Sequence, residues 1–250
     1  MIPRSRTDAF LRPLLALAAL VALVACDPMR RSTNGAPGPS ATPNVLSDAE
    51  RAAGWRSLFD GRTGAGWRAY RGTELPTGWQ VVDGALTRVA QGGDIVTVDE
   101  YANFDLVLDW KVEAGGNSGV FYRATEETEA IYENAPEMQV LDDARHRDGQ
   151  SPLTSAGAVY GLYPAPRGVV KPAGEWNHAR IVLKGNHVEH WLNGQKVVDA
   201  ELWSPDFTAR HAKSKFTQWP PYAKAARGHI ALQDHGDWVA YRNVRIRELK

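Results

Sequence analysis

From about residue 55 to the end of the chain, apolar and polar positions alternate in short runs and do not recur every three to four residues. Period two is the signature of strands with one covered face, whereas helices repeat near 3.6. The longest such run is Phe104-Asp105-Leu106-Val107-Leu108-Asp109-Trp110-Lys111-Val112. Trp79 to Thr87 alternates around Asp83-Gly84, and His187 to Val198 alternates around Asn193-Gly194, so each predicts a hairpin with a two-residue turn. Further strands are expected at Ile95–Val98, Val120–Arg123, Glu137–Asp142, His178–Leu183, Gly228–His235 and Trp238–Leu249. Gly115 to Gly119 reads as a turn and residues 203–227 as irregular. Many short strands, Gly-rich turns and no βαβ spacing predict an all-β, two-sheet jelly-roll sandwich forming a single domain over residues 51–250.

The N-terminus has a different grammar. Arg4 and Arg6 precede an apolar run from Leu14 to Ala25 that ends at Cys26. This is the layout of a secretory signal, and the run is too short for a comfortable transmembrane helix. Leu23-Val24-Ala25-Cys26 resembles a bacterial lipobox, in which the cysteine is lipid-modified and becomes the mature N-terminus. Cys26 is the chain's single cysteine, so no intramolecular disulfide can form. The expectation is a lipoprotein signal peptide over residues 1–25 and a flexible Pro/Ser/Gly-rich tether over 26–50. The product would be lipid-anchored at the bacterial cell envelope, on the periplasmic face or at the outer membrane. Ser47 and Glu50 have the spacing of a helix capping box.

Charge narrows the partners. Acidic and basic residues number 29 each, so nothing here forms the basic footprint of a nucleic-acid binder. Nine tryptophans suit a β core and also suit stacking on sugar rings.

Two strands carry the candidate chemistry. Glu137 and Gln139 share the face opposite Met138 and Val140, and Gln233 and His235 share the face opposite Ile230 and Leu232. Together they predict one polar surface. Alternation puts Arg123 on the same face of its strand as Phe121, where its planar fork would reach a ligand. The long polar segment from Asp142 to Pro166 carries His146 and Asp148, and connections of that length are usually functional or disordered. Asp142 is expected to cap this loop by accepting backbone amides.

Six motifs in order carry a resemblance. They are Leu58-Phe59-Asp60-Gly61 with Gly66-Trp67, Asn117-Ser118-Gly119-Val120-Phe121-Tyr122-Arg123, Glu137-Met138-Gln139-Val140-Leu141-Asp142, Gly174-Glu175-Trp176-Asn177, Trp191-Leu192-Asn193-Gly194, and Leu232-Gln233-Asp234-His235-Gly236 with Arg242-Asn243-Val244. The chain from about 55 to 249 resembles the 3-keto-disaccharide hydrolase domain family. The resemblance implies a concanavalin A-like jelly roll and a substrate glycoside whose C3 hydroxyl is already a ketone. An upstream 3-dehydrogenase would supply that substrate. A C3 ketone acidifies the C2 proton, so the implied route is deprotonation at C2, elimination of the C1 oxygen and hydration.

On that reading Glu137 or His235 is the base and Arg123 steadies the enolate oxygen. Asn117, Gln139, Gln233, His146 and Asp148 bind substrate hydroxyls. Glu137, His146 and His235 are also ligand types that a divalent metal ion accepts, and no other cofactor is implied. A non-catalytic, lectin-like carbohydrate-binding lipoprotein is the alternative. An ordinary two-carboxylate glycosidase is disfavoured, because Glu137-x-Gln139 offers one carboxylate where that chemistry needs two.

Overall fold

The structure, a computed structural model, describes residues 42–250. The expected signal peptide, Cys26 and most of the tether lie outside the described residues. Two antiparallel sheets are built from β1 (Arg56–Ser57), β2 (Trp67–Ala69), β3 (Trp79–Val82), β4 (Ala85–Arg88), β5 (Ile95–Tyr101), β6 (Phe104–Val112), β7 (Asn117–Ala124), β8 (Glu137–Leu141), β9 (Asn177–Lys184), β10 (His187–Leu192), β11 (Gln195–Glu201), β12 (Gly228–Leu232) and β13 (Val239–Glu248). The eight-stranded sheet runs β11-β10-β9-β6-β13-β4-β3, with β1 also on β13, and the five-stranded sheet runs β2-β5-β12-β7-β8. This is the expected jelly-roll sandwich.

Alternation explains the core. Phe104, Leu106, Leu108, Trp110 and Val112 of β6 meet Val120, Tyr122, Met138, Val140, Ile230 and Leu232 of the facing sheet in one buried cluster. The opposite face of β6 carries Asp105 and Asp109. Asp105 accepts from Arg180 and Arg247, and Asp109 from Asn243, so both acids are buried with partners. Both predicted hairpin turns form, with Asp83, Gly84, Asn193 and Gly194 all in the left-handed region that a type I′ turn requires.

Three expectations change. Residues Asn117, Ser118 and Gly119 are strand, not turn, because each pairs across to β8 as Leu141, Val140 and Gln139 do in return. Only the Gly115-Gly116 step makes the turn, with Gly115 at φ 77°. The tether ends earlier than residue 50. Asn44 exchanges hydrogen bonds with Asn243 at 2.6 and 2.7 Å, and the helix α1 (Asp48–Ala52), capped by Ser47 and Glu50 as expected, buries Glu50 beside Arg245. Residues 203–227, expected to be irregular, hold a second helix, α2 (Pro205–His211), opened by Ser204 as N-cap and Pro205 in the first turn. Among the described residues no helix is long and apolar enough to cross a membrane.

A β-bulge redirects Arg123. Ala124 pairs with His229 but Phe121 with Ala231, so β7 holds one residue more than β12 over this interval. Arg123 takes φ 53°, and its guanidinium donates to the carbonyls of Ala102 and Gly185 at 2.7–3.1 Å. It ties β7 to the β5–β6 connection between the sheets and to the β9–β10 turn of the eight-stranded sheet. Arg123→Ala should therefore cost about 2–3 kcal/mol in urea denaturation by leaving buried carbonyls without a donor. Turnover by the fraction that remains folded should stay intact, and a selective loss of turnover would contradict this structural role.

Candidate active site

The site lies on the face of the five-stranded sheet turned away from the main core. Farther along that face an apolar cluster of Val96, Phe121, Ala124, Ile131, Ala135 and Ala231 closes the surface. Beyond it opens a cavity of about 230 Å³ that includes Asp94, Asn117, Glu137, Gln139, Gln233 and His235 in its lining. Tyr132, Tyr160, Lys215 and Phe216 form its walls.

Each wall has a local cause. The segment after Asp142 folds back onto the free edge of β8. Gln139 N–H donates to Ala158 O, Gly157 N–H to Gln139 O and Tyr160 N–H to Glu137 O, at 2.9–3.1 Å. An edge strand is thereby covered, and Tyr160 is fixed beside Glu137. Asp142 anchors the loop as expected, accepting Gly115 N–H at 2.7 Å and Ala144 N–H at 3.1 Å. A short 3-10 turn, Lys215–Gln218, is capped by Ser214 and carries Lys215 and Phe216. The Lys215 ammonium stands 4.7 Å from the Tyr160 ring centre and 5.4 Å from that of Phe216, which stacks on Tyr222 at 4.0 Å.

Glu137 dominates the electrostatics. It is 7 % exposed, and its carboxyl makes no hydrogen bond among the described residues. Burial, reinforced by the charges of Asp94 and Asp148 and only partly offset by Lys215, pushes its pKa up to about 8. The carboxyl can lie there because residue 119 is glycine. A Cβ on Gly119 would overlap Glu137 Oε1 and stand 2.7 Å from Cδ. Asp94 is the second carboxyl of the cavity lining with raised proton affinity. Burial lifts it to about 6, although its Oδ1 accepts Asp234 N–H at 2.8 Å. Asp234 differs, since Arg88 Nε and the amides of Gly92, Gly93 and Gly236 saturate it at 2.7–3.0 Å and hold its pKa below the usual range despite burial.

Two amides point to a ligand. Asn117 Oδ1 and Gln233 Oε1 are buried acceptors with no protein partner, and both residues line the cavity. Such acceptors are costly unless a donor arrives, and a sugar hydroxyl is a donor of the right kind. Gln139 lines the cavity too, but its amide is already engaged with Thr154 O and Val140 N–H. His146 accepts Asp148 N–H through Nδ1 and meets His235 edge to face at 6.3 Å. Asp148 accepts the Tyr160 hydroxyl at 3.0 Å and so acts through that wall.

Of the sequence-derived set, Glu137, Gln139, Asn117, Gln233 and His235 converge. His146 and Asp148 stand behind the lining, and Arg123 does not reach it. Glu137, His146 and His235 do not form a metal-ligand cluster. Among the described residues the group whose ligand atoms lie within 4.8 Å of one another is His187, Glu189 and Asp199, where Lys196 already bonds both acids at 2.6–2.7 Å. Sequence reasoning missed Asp94, Tyr132, Tyr160, Lys215 and Phe216 as site residues. The Gly92-Gly93-Asp94 turn was the one local signal, an acid held at a strand entrance.

Glu137 also sets a pH signature. Its folded pKa exceeds the unfolded value near 4.5, so the native state holds a proton that the unfolded chain releases. This contribution favours folding less and less as pH rises between about 4.5 and 8, at up to roughly 1.4 kcal/mol per unit. Glu137→Gln should remove that slope and be the more stable protein at pH 9 in urea denaturation, by at most about 5 kcal/mol. Parallel stability curves for the two proteins would show that Glu137 is not buried as described. Gly119→Ala should displace the carboxyl and return its titration toward that of an ordinary glutamate, read by carboxyl-resolved NMR.

Residues 54–247 match the 3-keto-alpha-glucoside-1,2-lyase-like domain family. The chain is 33 % identical over 230 residues to a 3-keto-disaccharide hydrolase of Bacteroides thetaiotaomicron, covering 79 % of each. It also resembles the crystal structure of a candidate glycosyl hydrolase from Parabacteroides distasonis, with 36 % identity and a TM-score of 0.77 over 84 % of this chain and all of the other. A second such structure from that organism matches at 32 % identity and a TM-score of 0.59, over 73 % of this chain and 99 % of the other. The jelly roll, the pocket on its open face and the match over nearly all the globular residues place this chain in the 3-keto-alpha-glucoside-1,2-lyase-like domain family.

Proposed function

We propose that this pocket cleaves glycosides carrying a ketone at C3, with 3-keto disaccharides as the substrate class. The observation that carries the reading is the Glu137 carboxyl, enclosed, unpartnered among the described residues and tuned near neutrality. A group with that proton affinity is suited to exchanging protons with a substrate. The two unpartnered amide oxygens, Asn117 Oδ1 and Gln233 Oε1, support a hydroxyl-bearing ligand. The substrate of the 33 % identical relative supports the class.

The chemistry follows from the ketone. A base takes the C2 proton, and the C–H electron pair forms the C2–C3 enolate. The enolate collapses to restore the ketone, the C1–C2 double bond forms, and the C1–O bond breaks with its electrons on the departing oxygen, which is protonated. Water then adds, hydroxyl to C1 and proton to C2, so the net change is one hydrolysis. Glu137 and His235 are the groups at hand for proton exchange. Lys215 takes the part expected of Arg123, a positive charge beside the developing enolate. The lipobox-like Leu23-Val24-Ala25-Cys26 supports an envelope location with a lipid anchor, and a dehydrogenase acting at C3 must supply the substrate.

The protein should release free glucose from 3-keto-trehalose and none from trehalose. Glu137→Gln should lower that turnover about a hundred-fold to ten-thousand-fold, the usual worth of a proton-transfer group. Tight binding of unoxidised glycans without turnover of any 3-keto glycoside, with or without added divalent metal, would favour the lectin-like alternative instead.

A further inference from the structure

One row of residues crosses the open face at the pocket. Leu232 pairs with Ile95 on one side and Val120 on the other, and Gly119 pairs with Gln139. One step along each strand, Asp94, Gln233, Gly119 and Gln139 fall in register. The bonds from Asp234 N–H to Asp94 Oδ1 and from Gln233 N–H to Gly119 O fit that register. Glu137 belongs to the adjacent row, opposite Phe121. Because Gly119 has no side chain, the Glu137 carboxyl leans into the gap above it. Glu137 and Asp94 thus present carboxyls over the same row, with Gln233 between them. Gly119 and Asp94 are two strand spacings apart, about 10 Å of backbone, which suits one sugar ring between two acids.

Asp94 is held for use. Its Oδ1 is fixed by Asp234 N–H, whose own carboxylate is clamped by Arg88 and three glycine amides. Its Oδ2 makes no hydrogen bond among the described residues. Resting on the reading that this pocket cleaves 3-keto glycosides, we infer that Asp94 is a second catalytic residue, the base for the C2 proton, facing Glu137 as the acid for the departing C1 oxygen. A pKa of about 6 leaves Asp94 ionised at neutral pH, while Glu137 keeps its proton, so the two environments separate the roles.

The protons balance over the cycle. Asp94 gains the C2 proton as the enolate forms, and Glu137 gives its proton to the leaving oxygen as the C1–O bond breaks. In hydration Glu137, now a carboxylate, takes a proton from the water attacking C1. Asp94 returns its proton to C2. Both groups end as they began. Water enters from the side the leaving group vacated, so the anomeric configuration is retained.

The test compares Asp94→Asn with Glu137→Gln in the full chain. Asparagine keeps the oxygen that Asp234 N–H needs. The substrates are 3-keto-trehalose deuterated at C2 and 4-nitrophenyl 3-keto-α-glucoside, whose leaving group departs without a proton. Glu137→Gln should lose about a hundred-fold or more on the disaccharide, regain most of its rate on the nitrophenyl glycoside and still wash out deuterium. Asp94→Asn should lose cleavage of both substrates and deuterium exchange together, with KM little changed, and Asp94→Glu should restore part of the exchange. A folded Asp94→Asn that exchanges deuterium at the wild-type rate, or cleaves within about ten-fold of it, overturns the assignment. If the unaltered protein turns over neither substrate, the underlying functional reading fails and this one falls with it.

Discussion

The site depends on one close approach, the Glu137 carboxyl lying over Gly119. Burying an unpaired acid is costly, and the chain meets that cost by keeping the proton on. The arrangement needs a strand neighbour with no side chain, a covered edge beside β8 and a charge environment that only partly compensates. Gly119, the Ala156–Tyr160 fold-back and Lys215, the single cation among the described residues of the cavity wall, supply these in turn. A better-paired Glu137 would make a more stable protein and a worse proton donor, which is the usual tension at a functional site.

Around that carboxyl the fold separates rigid floor from assembled wall. The floor is strand backbone in fixed register, and it holds Asn117, Gln139, Glu137 and Gln233 at spacings set by pleat and pairing. Asp94 is fixed nearly as firmly, because Asp234 is saturated by Arg88 and the glycine amides. The walls come from three segments far apart in the chain, near 132, 160 and 215. Lys215 links them, standing 4.7 Å from the Tyr160 ring centre and 6.0 Å from that of Tyr132, while the neighbouring Phe216 stacks on Tyr222. The apolar rings in the walls and the polar amides in the floor suit a ligand with one hydrophobic and one hydroxylated side, as a pyranose has.

The all-β class, both two-residue hairpins and the buried face of β6 were legible because strand periodicity and turn chemistry are local properties of sequence. The pairing of Glu137 with Gln139 was legible for the same reason, whereas β12 ends at Leu232, and Gln233 and His235 reach the cavity from the connection that follows it rather than by strand alternation. Arg123 was misplaced for an equally physical one. Alternation holds only while two strands advance in step, and the bulge at residue 123 breaks the step and sends the guanidinium to Ala102 O and Gly185 O. The Asn117-Ser118-Gly119 stretch looked like a turn because its composition is that of turns, yet cross-strand pairing overrode propensity.

By itself, then, the sequence determined the fold class, the hairpins, the capping of α1 and the polar face on which a site would form, since each is written in the spacing of neighbouring residues. Only the tertiary structure decided that Glu137 is desolvated, that Asp94 stands in its row two strands away and that Lys215, Tyr132 and Tyr160 close the cavity. Those facts depend on strand order, on the gap at Gly119 and on the packing of segments some 80 residues apart. Proton affinity is a property of surroundings, and surroundings exist only once the chain has folded.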